Sequence, residues 1–143
     1  MSIVPLIDIY KKTTNLDNIF DLLGQLTSAP SISKEQLEKF LFSLHDNHQI
    51  FAYIKDAKIV GLITLLIEPK LIHGGACTAH IEDLVVDCQY RGFGIATELI
   101  NFCIKQTRER DCYKIILACK RDIVDFYEKN GFIENNIQMA KYF

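Results

Sequence analysis

The chain has no excess of charge of either sign and no apolar run long enough to cross a membrane. Its 16 basic and 18 acidic side chains leave a net charge of −2, without a long run of one sign. The basic surface typical of nucleic-acid binders is therefore missing, and no transmembrane helix is predicted. We expect neither a nucleic acid nor a membrane as a partner.

Cysteine pairs with metal-binding or redox spacing are also absent. The five cysteines contain no C-x-x-C pair, which argues against a zinc site or a thioredoxin-like dithiol and suits a reducing compartment. The N-terminus has no basic segment and reaches Asp8 too soon for a signal peptide. We therefore expect a soluble, cytoplasmic protein without a bound metal. The cysteines lie at positions 77, 88, 103, 112 and 119.

What is present is an ordinary globular composition. With 143 residues, 49% of them hydrophobic, the chain has the usual size of one domain with one core. Repeats, low-complexity tracts and linkers are missing. A single domain over residues 1–143 is the expectation.

Hydrophobic spacing predicts the elements of the first half. Loose alternation over Ile3–Ile9 indicates an edge strand, and helical spacing over Asn15–Leu26 indicates a helix. A second helix follows Ser33, which begins a capping box. Two strands rich in β-branched and aromatic residues then form a hairpin around residues 55–57. They cover Gln49–Ile54 and Lys58–Ile67.

Strands and helices alternate in the second half. A strand over Cys77–Val86 leads through a glycine-rich turn into an amphipathic helix from Ile95 to Lys105. The nearly unbroken apolar run Tyr113–Cys119 is typical of a strand covered on both faces.

A short helix and a sixth strand are predicted to close the chain. Asp122 can cap a helix over Val124–Asn130, and Gly131 stands where a left-handed residue usually ends a helix. The last strand is expected over Ile137–Tyr142. The order of elements predicts an α/β fold of α+β type, with a mixed sheet and helices on its faces.

The turn before the long helix is the most informative local feature. Residues Arg91–Ala96 lie between the apolar end of a strand and a helix, where backbone N–H groups and the helix dipole favour a pyrophosphate. Gly92 and Gly94 would let a phosphate approach the backbone closely. Neither a Walker loop nor a dinucleotide fingerprint fits, since Thr97 replaces the third glycine of the latter. An ordinary strand-to-helix turn is the alternative.

The order of elements around this turn resembles the GNAT acetyltransferase superfamily. Its pyrophosphate loop has the pattern Q/R-x-x-G-x-G/A, which Arg91, Gly94 and Ala96 satisfy. Three separated blocks, in the same order along the chain, resemble the eukaryotic glucosamine-6-phosphate N-acetyltransferases. They are His80–Asp83, Cys112–Leu117 and Phe126–Phe132.

The resemblance implies a mostly antiparallel sheet that splays between its fourth and fifth strands. Acetyl-CoA would lie in the splay, with its pyrophosphate on the loop N–H groups and its pantetheine arm along the fourth strand. The acetyl-CoA contacts that the resemblance implies are Leu84, Val85, Val86, Arg91, Gly92, Phe93, Gly94, Ile95, Ala96, Thr97, Tyr127 and Lys129.

The resemblance also implies a reaction, a substrate and an assembly. The family acetylates the 2-amino group of D-glucosamine 6-phosphate on the path to UDP-N-acetylglucosamine, and it is a homodimer that builds each sugar site from both subunits. The implied substrate contacts are Thr27, Lys70, Leu71, Ile72, His73, Glu82, Asp83, Tyr113, Lys114 and Lys141.

Three side chains are candidates for the chemistry itself. Glu82 and Asp83 are adjacent, so on a regular strand they point to opposite faces and only one enters a given pocket. We expect Asp83 to bind the sugar or its amine and Glu82 to take up the amine proton; two solvated carboxylates are the alternative. Tyr127 is expected to donate to the leaving thiolate, since a phenol stays protonated at neutral pH. Spacing alone favours a core tyrosine, and its family block favours the catalytic role.

We also expect particular roles for several other groups. A backbone N–H near Leu84 is the expected oxyanion donor, His73 a binding residue and His80 a structural one. Cys119 could carry the acetyl group, but a buried thiol is unreactive, so we expect direct attack in a ternary complex.

Three positions depart from the family pattern. Ala118 stands where the family has an acidic residue, Ile123 where it has an asparagine, and Lys141 where it has an arginine. Lysine lacks the bidentate fork, so weaker phosphate binding is expected. The departures leave open an acetyltransferase of another amine, such as a different aminosugar, a polyamine or a protein lysine, and also a non-catalytic acetyl-CoA-binding module.

Overall fold

The computed structural model describes residues 2–13 and 16–143. The strands over these residues are β1 Ser2–Pro5, β2 His48–Lys55, β3 Lys58–Pro69, β4 Cys77–Val86 and β5 Lys114–Ile116. The α-helices are α1 Leu6–Thr13, α2 Ile19–Leu23, α3 Lys34–Ser43, α4 Ile95–Glu109 and α5 Val124–Lys129. Short 3₁₀ turns cover His73–Gly75, Cys88–Tyr90 and Arg121–Ile123. None of the helices in the two described ranges is both long and apolar enough to cross a membrane.

The strands form one mixed sheet in the order β1-β2-β3-β4-β5. Neighbours from β1 to β4 are antiparallel, and β5 runs parallel to β4. Side chains alternate along the strands, so each face carries its own core. On β2, Ala52 packs with α1–α3 whereas Phe51 and Tyr53 pack with α4, whose Leu99 and Ile100 are fully buried. The predicted mixed sheet with helices on both faces is confirmed.

The β2–β3 hairpin forms as predicted. Its turn residues Asp56 and Ala57 have φ of 51° and 60°, as in the tight hairpin turns that match strand twist. Gly61 of β3 pairs with Val86 at the end of β4. The hairpin tip therefore lies at the end of the sheet where the chain leaves β4.

The first predicted strand is too long. β1 is an edge strand as expected, but it ends at Pro5, and the segment from Leu6 onward is α1. Leu6 and Tyr10, four residues apart, are both buried. A short apolar segment is compatible with either period, and burial of one helical face decides for the helix.

The predicted helix over Asn15–Leu26 is also too long. Asn15 lies outside the described residues, α2 covers only Ile19–Leu23, and the chain continues in i→i+3 hydrogen-bonded turns. The capping box of α3 is confirmed. The backbone N–H of Gln36 donates to the Ser33 hydroxyl at 3.1 Å, and the Ser33 N–H donates to the Gln36 side chain at 2.9 Å.

The prediction of a long fifth strand covered on both faces is wrong. β5 has 3 residues, all half-buried. It lies at the edge of the sheet and pairs on one side only, with Thr78–His80 of β4. An apolar run alone did not distinguish a buried strand from a short edge strand.

Two expectations for the last helix have opposite outcomes. Asp122 does not cap α5, because it lies in the preceding 3₁₀ turn, and the capping position belongs to Ile123 without a side-chain hydrogen bond. Gly131 has φ of 87°, so the left-handed end of the helix is confirmed.

The predicted last strand over Ile137–Tyr142 is not formed. Residues 133–143, the C-terminal tail, have no strand and no helix. Ile137 is 88% exposed and Tyr142 92% exposed. A strand needs a neighbour for its backbone groups, and this tail does not pair with β5.

Candidate active site

A bulge in the middle of β4 shapes the centre of the site. The register with β3 shifts between Glu82 and Val85, so that Asp83 and Leu84 together face one residue of β3. Asp83 has φ of 50°, a conformation that aspartate tolerates better than most residues. Glu82 and Asp83 are both exposed. The regular geometry of the strand is therefore interrupted at this pair of residues.

Asp83 lines a cavity of about 270 Å³ between the sheet and α1–α3. Apart from Asp83 and Thr64, the residues that line this cavity are apolar. Glu82 is not among them. The bulge thus places one of the two adjacent carboxylates at an otherwise apolar cavity.

The sheet splays between β4 and β5, as predicted. The two strands pair only from Thr78 to His80 on β4, although β4 continues to Val86. Beyond His80, the described part of the chain supplies no strand on that side of β4. Around the bulge, the edge of β4 that faces away from β3 is therefore not covered by a strand.

Residues 91–97, here called the glycine loop, connect the open edge of β4 to α4. Gly92 and Gly94 have φ of 83° and 81°, a region that other residues enter at a cost. Apart from each glycine and its two chain neighbours, no atom of the described residues lies within 4 Å of where a Cβ would stand at either position. Gly94 directly precedes α4, so unpaired N–H groups and the positive end of the helix dipole border this open space.

Side chains fix the glycine loop and the 3₁₀ turn before it to their surroundings. The Nε of Arg91 donates to the Val86 carbonyl at 3.0 Å. The N–H of Cys88 donates to the Gln25 side chain at 2.8 Å. Sequence reasoning missed Gln25, because its contact spans 63 positions and depends on tertiary packing. Thr27, two residues further on, is exposed.

Tyr127 combines a packed ring with a protonated hydroxyl. Its ring lies edge-on to Phe126 at 5.0 Å and to Phe132 at 5.9 Å between centroids. Burial, with a smaller contribution from nearby Cys119, raises the pKa of Tyr127 above its ordinary value. The phenol therefore stays a proton donor at neutral pH, while its ring also contributes to the core.

Cys119 itself is exposed. The expectation that this thiol is buried is wrong, because β5 ends at Ile116 and Cys119 lies beyond the sheet.

A cluster of aromatic and basic side chains forms around Tyr113. The His73 ring lies 4.4 Å from the Tyr113 ring, and the Lys114 ammonium lies 5.3 Å from its centre. The pKa of Tyr113 is lowered by the adjacent Thr78 hydroxyl and by Lys114 and Lys70. The Thr78 hydroxyl forms no hydrogen bond of regular geometry. The lowered pKa of Tyr113 therefore depends on the charges of the two lysines. The structure thus brings together four predicted substrate residues.

Lys70 belongs to a second network that the sequence did not indicate. Its ammonium lies 2.6 Å from one Glu68 oxygen, and the His80 ring lies 2.8 Å from the other. Hydrogen bonds from Lys70 and then His80 lower the pKa of Glu68. Residues on neighbouring strands come together here, so sequence separation hid the contact. Lys70 is therefore an ion-paired cation rather than an isolated one.

Several predicted site residues are not brought to this cluster by contacts within the chain. Leu71 is 102% exposed and Ile72 62% exposed. Lys129 is exposed at the end of α5. Lys141 contacts the Phe143 ring at 5.7 Å in the C-terminal tail.

The geometry of open strand edge, glycine loop and helix agrees with an independent comparison. The profile of the acetyltransferase (GNAT) family matches residues 16–132.

The chain belongs to the GNAT acetyltransferase family.

Individual relatives indicate which GNAT enzymes the chain is similar to. Glucosamine 6-phosphate N-acetyltransferase of Trypanosoma brucei brucei is 36% identical over 129 residues, 88% of either chain. The enzyme of the same name from Arabidopsis thaliana is 34% identical over 128 residues, 86% of either chain. The crystal structure of the Arabidopsis enzyme has a TM-score of 0.90 at 31% identity, covering 99% of this chain and 97% of that one. The resemblance inferred from the sequence blocks is confirmed.

Acetyl-CoA is the acetyl donor of GNAT proteins, and the residues present fit it. The open backbone at Gly92 and Gly94 leaves room for phosphate oxygens. Val85, Val86 and Ile95 have buried side chains, so only their backbone groups can face a ligand. No cluster of three or more potential metal-binding side chains occurs in residues 2–13 and 16–143.

Proposed function

We propose that this protein transfers the acetyl group of acetyl-CoA to the 2-amino group of D-glucosamine 6-phosphate. The product would be N-acetylglucosamine 6-phosphate, the precursor of UDP-N-acetylglucosamine. The observation that carries the proposal is the 36% identity, over 88% of the chain, to an enzyme named for this reaction. The site geometry supports it on both the donor and the acceptor sides.

The donor side is supported by the glycine loop and the open edge of β4. Backbone N–H groups from Gly92 to Thr97 are the proposed pyrophosphate contacts, at the positive end of α4. Leu84–Val86 provides a strand edge for the amide groups of the pantetheine arm. The thioester would then lie at the bulge, next to Asp83.

The acceptor side is supported by the basic cluster around Tyr113. The Lys114 ammonium lies 5.3 Å from the centre of the Tyr113 ring, and the charge of Lys70 also lowers the pKa of Tyr113. Two cations at this site suit a sugar phosphate. The His73 ring stacked on Tyr113 offers a further polar edge. Asp83, at the cavity between sheet and helices, is the proposed partner of the sugar amine or hydroxyl groups.

The proposed reaction is a direct attack in a ternary complex. The amine nitrogen bonds to the acetyl carbonyl carbon, the carbon–sulfur bond breaks, and the amine proton passes to Glu82 through water. Tyr127, whose pKa is raised by burial, gives its proton to the departing sulfur. A backbone N–H near Leu84 stabilises the charge on oxygen, worth on the order of 10² to 10³ in rate.

Cys119 offers an alternative route, because its thiol is exposed. A two-step route would place the acetyl group on Cys119 before the amine receives it. Replacing Cys119 by Ala separates the routes. Direct attack predicts an unchanged kcat, whereas a covalent intermediate on sulfur predicts loss of turnover.

We propose a homodimer as the active form, supported by the C-terminal tail. Ile133, Ile137, Met139, Tyr142 and Phe143 are at least 84% exposed. Isolated apolar residues at a surface are ordinary, but a run of them indicates a partner. A second copy of the chain would cover the tail and could bring Lys141 to a sugar phosphate. The five free cysteines support a reducing compartment such as the cytoplasm.

Turnover with a panel of amines tests the proposal. We expect acetylation of glucosamine 6-phosphate with a kcat/KM at least about 100-fold above that of glucosamine, since the phosphate supplies charged contacts to two lysines. Equal turnover of both sugars, or preference for a polyamine or a protein lysine, would contradict it. Ala118, which lacks the carboxylate of the family position, is the specific reason to include other amines. Acetyl-CoA binding without turnover of any amine would support a non-catalytic module.

A further inference from the structure

Lys55 has an unusual position for a lysine. It is the last residue of β2, and it is half-buried, whereas its neighbours Asp56 and Lys58 on the hairpin are exposed. Its ammonium nitrogen lies 5.6 Å from the centre of the Tyr90 ring and 5.2 Å from that of Phe93. A cation at these distances is attracted to the ring faces. The two rings therefore hold the ammonium group in place.

Both rings belong to the segment that presents the glycine loop. Tyr90 ends the 3₁₀ turn after β4, and Phe93 stands between Gly92 and Gly94. Phe93 is 68% exposed, so the core does not account for its position. The hairpin tip lies at the same end of the sheet as this loop, because β3 pairs with the end of β4 next to the tip. Lys55 is thus a positive charge at the border of the loop.

The charge on Lys55 is not neutralised by an ion pair within residues 2–13 and 16–143. None of the ion pairs among the described residues involves Lys55. Glu98, in the first turn of α4, accepts a hydrogen bond from the Tyr53 hydroxyl at 2.9 Å. Arg91, a cation within the glycine loop, directs its Nε to the Val86 carbonyl. An unpaired ammonium group beside a phosphate-binding backbone suits an anionic ligand.

We propose that Lys55 is a further donor-binding residue, whose ammonium group contacts a phosphate of acetyl-CoA bound at the glycine loop. The proposal rests on the proposed function, because it takes acetyl-CoA as the ligand. Loop N–H groups supply hydrogen bonds but no full charge, and the phosphates of acetyl-CoA carry several negative charges. Lysine binds phosphate as a point charge. Because the rings already hold the side chain, less freedom is lost on binding.

Calorimetry with three variants tests this assignment. Lys55→Met keeps an unbranched side chain against the rings without the charge, Lys55→Arg keeps the charge, and Lys58→Met is a matched control on the same hairpin. Each is titrated with CoA and with dephospho-CoA, which lacks the 3′-phosphate. We expect Lys55→Met to bind CoA about 5- to 10-fold more weakly, as for one partly exposed charged contact. The loss should shrink at high salt, and the Lys58 variant should match the wild type.

The outcomes separate the possible explanations. A loss with CoA but not with dephospho-CoA assigns Lys55 to the 3′-phosphate, and an equal loss with both assigns it to the pyrophosphate. Wild-type affinity in Lys55→Met would overturn the proposal, and so would an Arg variant as weak as the Met variant, since that indicates a packing role. If the wild-type protein binds no CoA, the proposed function fails together with this inference. If it binds CoA but Lys55→Met binds equally well, only the inference fails.

Discussion

The proposed donor and acceptor sides of the site differ in how many of their groups are held in place by contacts within the chain. Arg91 fixes the glycine loop, Gln25 fixes the 3₁₀ turn before it, and the loop glycines border open space that can admit phosphate oxygens. On the acceptor side, Leu71 is fully exposed, and the C-terminal tail carries exposed apolar residues. In our proposal, backbone groups of one strand and one helix bind a carrier that many enzymes share. The part proposed to recognise the amine depends on side chains that are exposed in the chain by itself.

Removal of the C-terminal tail should break this comparison most strongly. A chain ending at Phe132 is expected to bind acetyl-CoA but to lose turnover by on the order of 10²-fold or more, because substrate positioning contributes a large part of the acceleration. Light scattering should report a monomer instead of a dimer. A milder version places a charge at Ile137 (Ile137→Asp), with Gln138→Asp as the matched control. A truncated protein that stays dimeric and active would contradict the proposed role of the tail.

Tyr127→Phe tests the donor side of the chemistry. We expect kcat to fall about 10²-fold, the usual effect of removing a general acid, with little change in KM or in the melting temperature, since the ring stays packed. Because burial raises the pKa of Tyr127, the wild type should not lose this acid at pH values below the ordinary tyrosine value. Adding Phe126→Tyr to the Tyr127→Phe variant places a hydroxyl on the neighbouring residue, and this should not restore activity. An unchanged kcat in Tyr127→Phe would leave the tyrosine only its packing role.

Gly94→Ala tests whether the loop backbone itself binds the donor. With φ of 81° and open space around a Cβ, alanine meets no atom, so the penalty is the backbone strain of about 1–2 kcal/mol. If strain shifts the loop, CoA should bind roughly 10-fold more weakly.

Gly131→Ala is the matched control for Gly94→Ala. Gly131 has φ of 87° and similarly open surroundings, but it ends α5 and lies outside the glycine loop. It should lower stability by a similar amount without changing CoA affinity. Equal losses of affinity in both variants would indicate a general effect on folding.

Glu68→Gln should have the smallest effect, and it concerns the acceptor side. Lys70 and His80 lower the pKa of Glu68 in the folded protein. Its stabilising contribution is therefore present above the ordinary glutamate pKa and is lost as the pH falls through the lowered one. We expect a small drop in melting temperature at pH 7 that disappears in acid. Glu38→Gln, on an exposed face of α3, should show no such pH-dependent difference.

The sequence predicted elements well where local chemistry and long periodicity agreed. The capping box at Ser33, the hairpin at Asp56 and the left-handed Gly131 each depend on neighbouring residues, and each is confirmed. Short apolar segments were less informative. Leu6–Ile9 became part of a helix, and residues beyond Ile116 left the sheet. In the first segment the burial of one helical face decided the structure. In the second, β5 lies at the edge of the sheet and ends early, which the apolar pattern did not indicate.

The candidate site divides in the same way. Local sequence identified Gly92, Gly94 and Tyr127, because a glycine-rich turn and a family block are contiguous along the chain. Contacts between distant residues were not visible, such as those joining Gln25 to Cys88 and Glu68 to His80.

By itself, the sequence determined the family, the order of most elements and the position of the turn proposed to bind phosphate, since each follows from residues close together along the chain. Only the tertiary structure decided the bulge at Asp83, the exposure of Cys119 and the place of Lys55 between two rings. These features arise when strands pair in a particular register and helices close over them. The energy of such contacts depends on distance in space, which the spacing of residues along the chain does not encode.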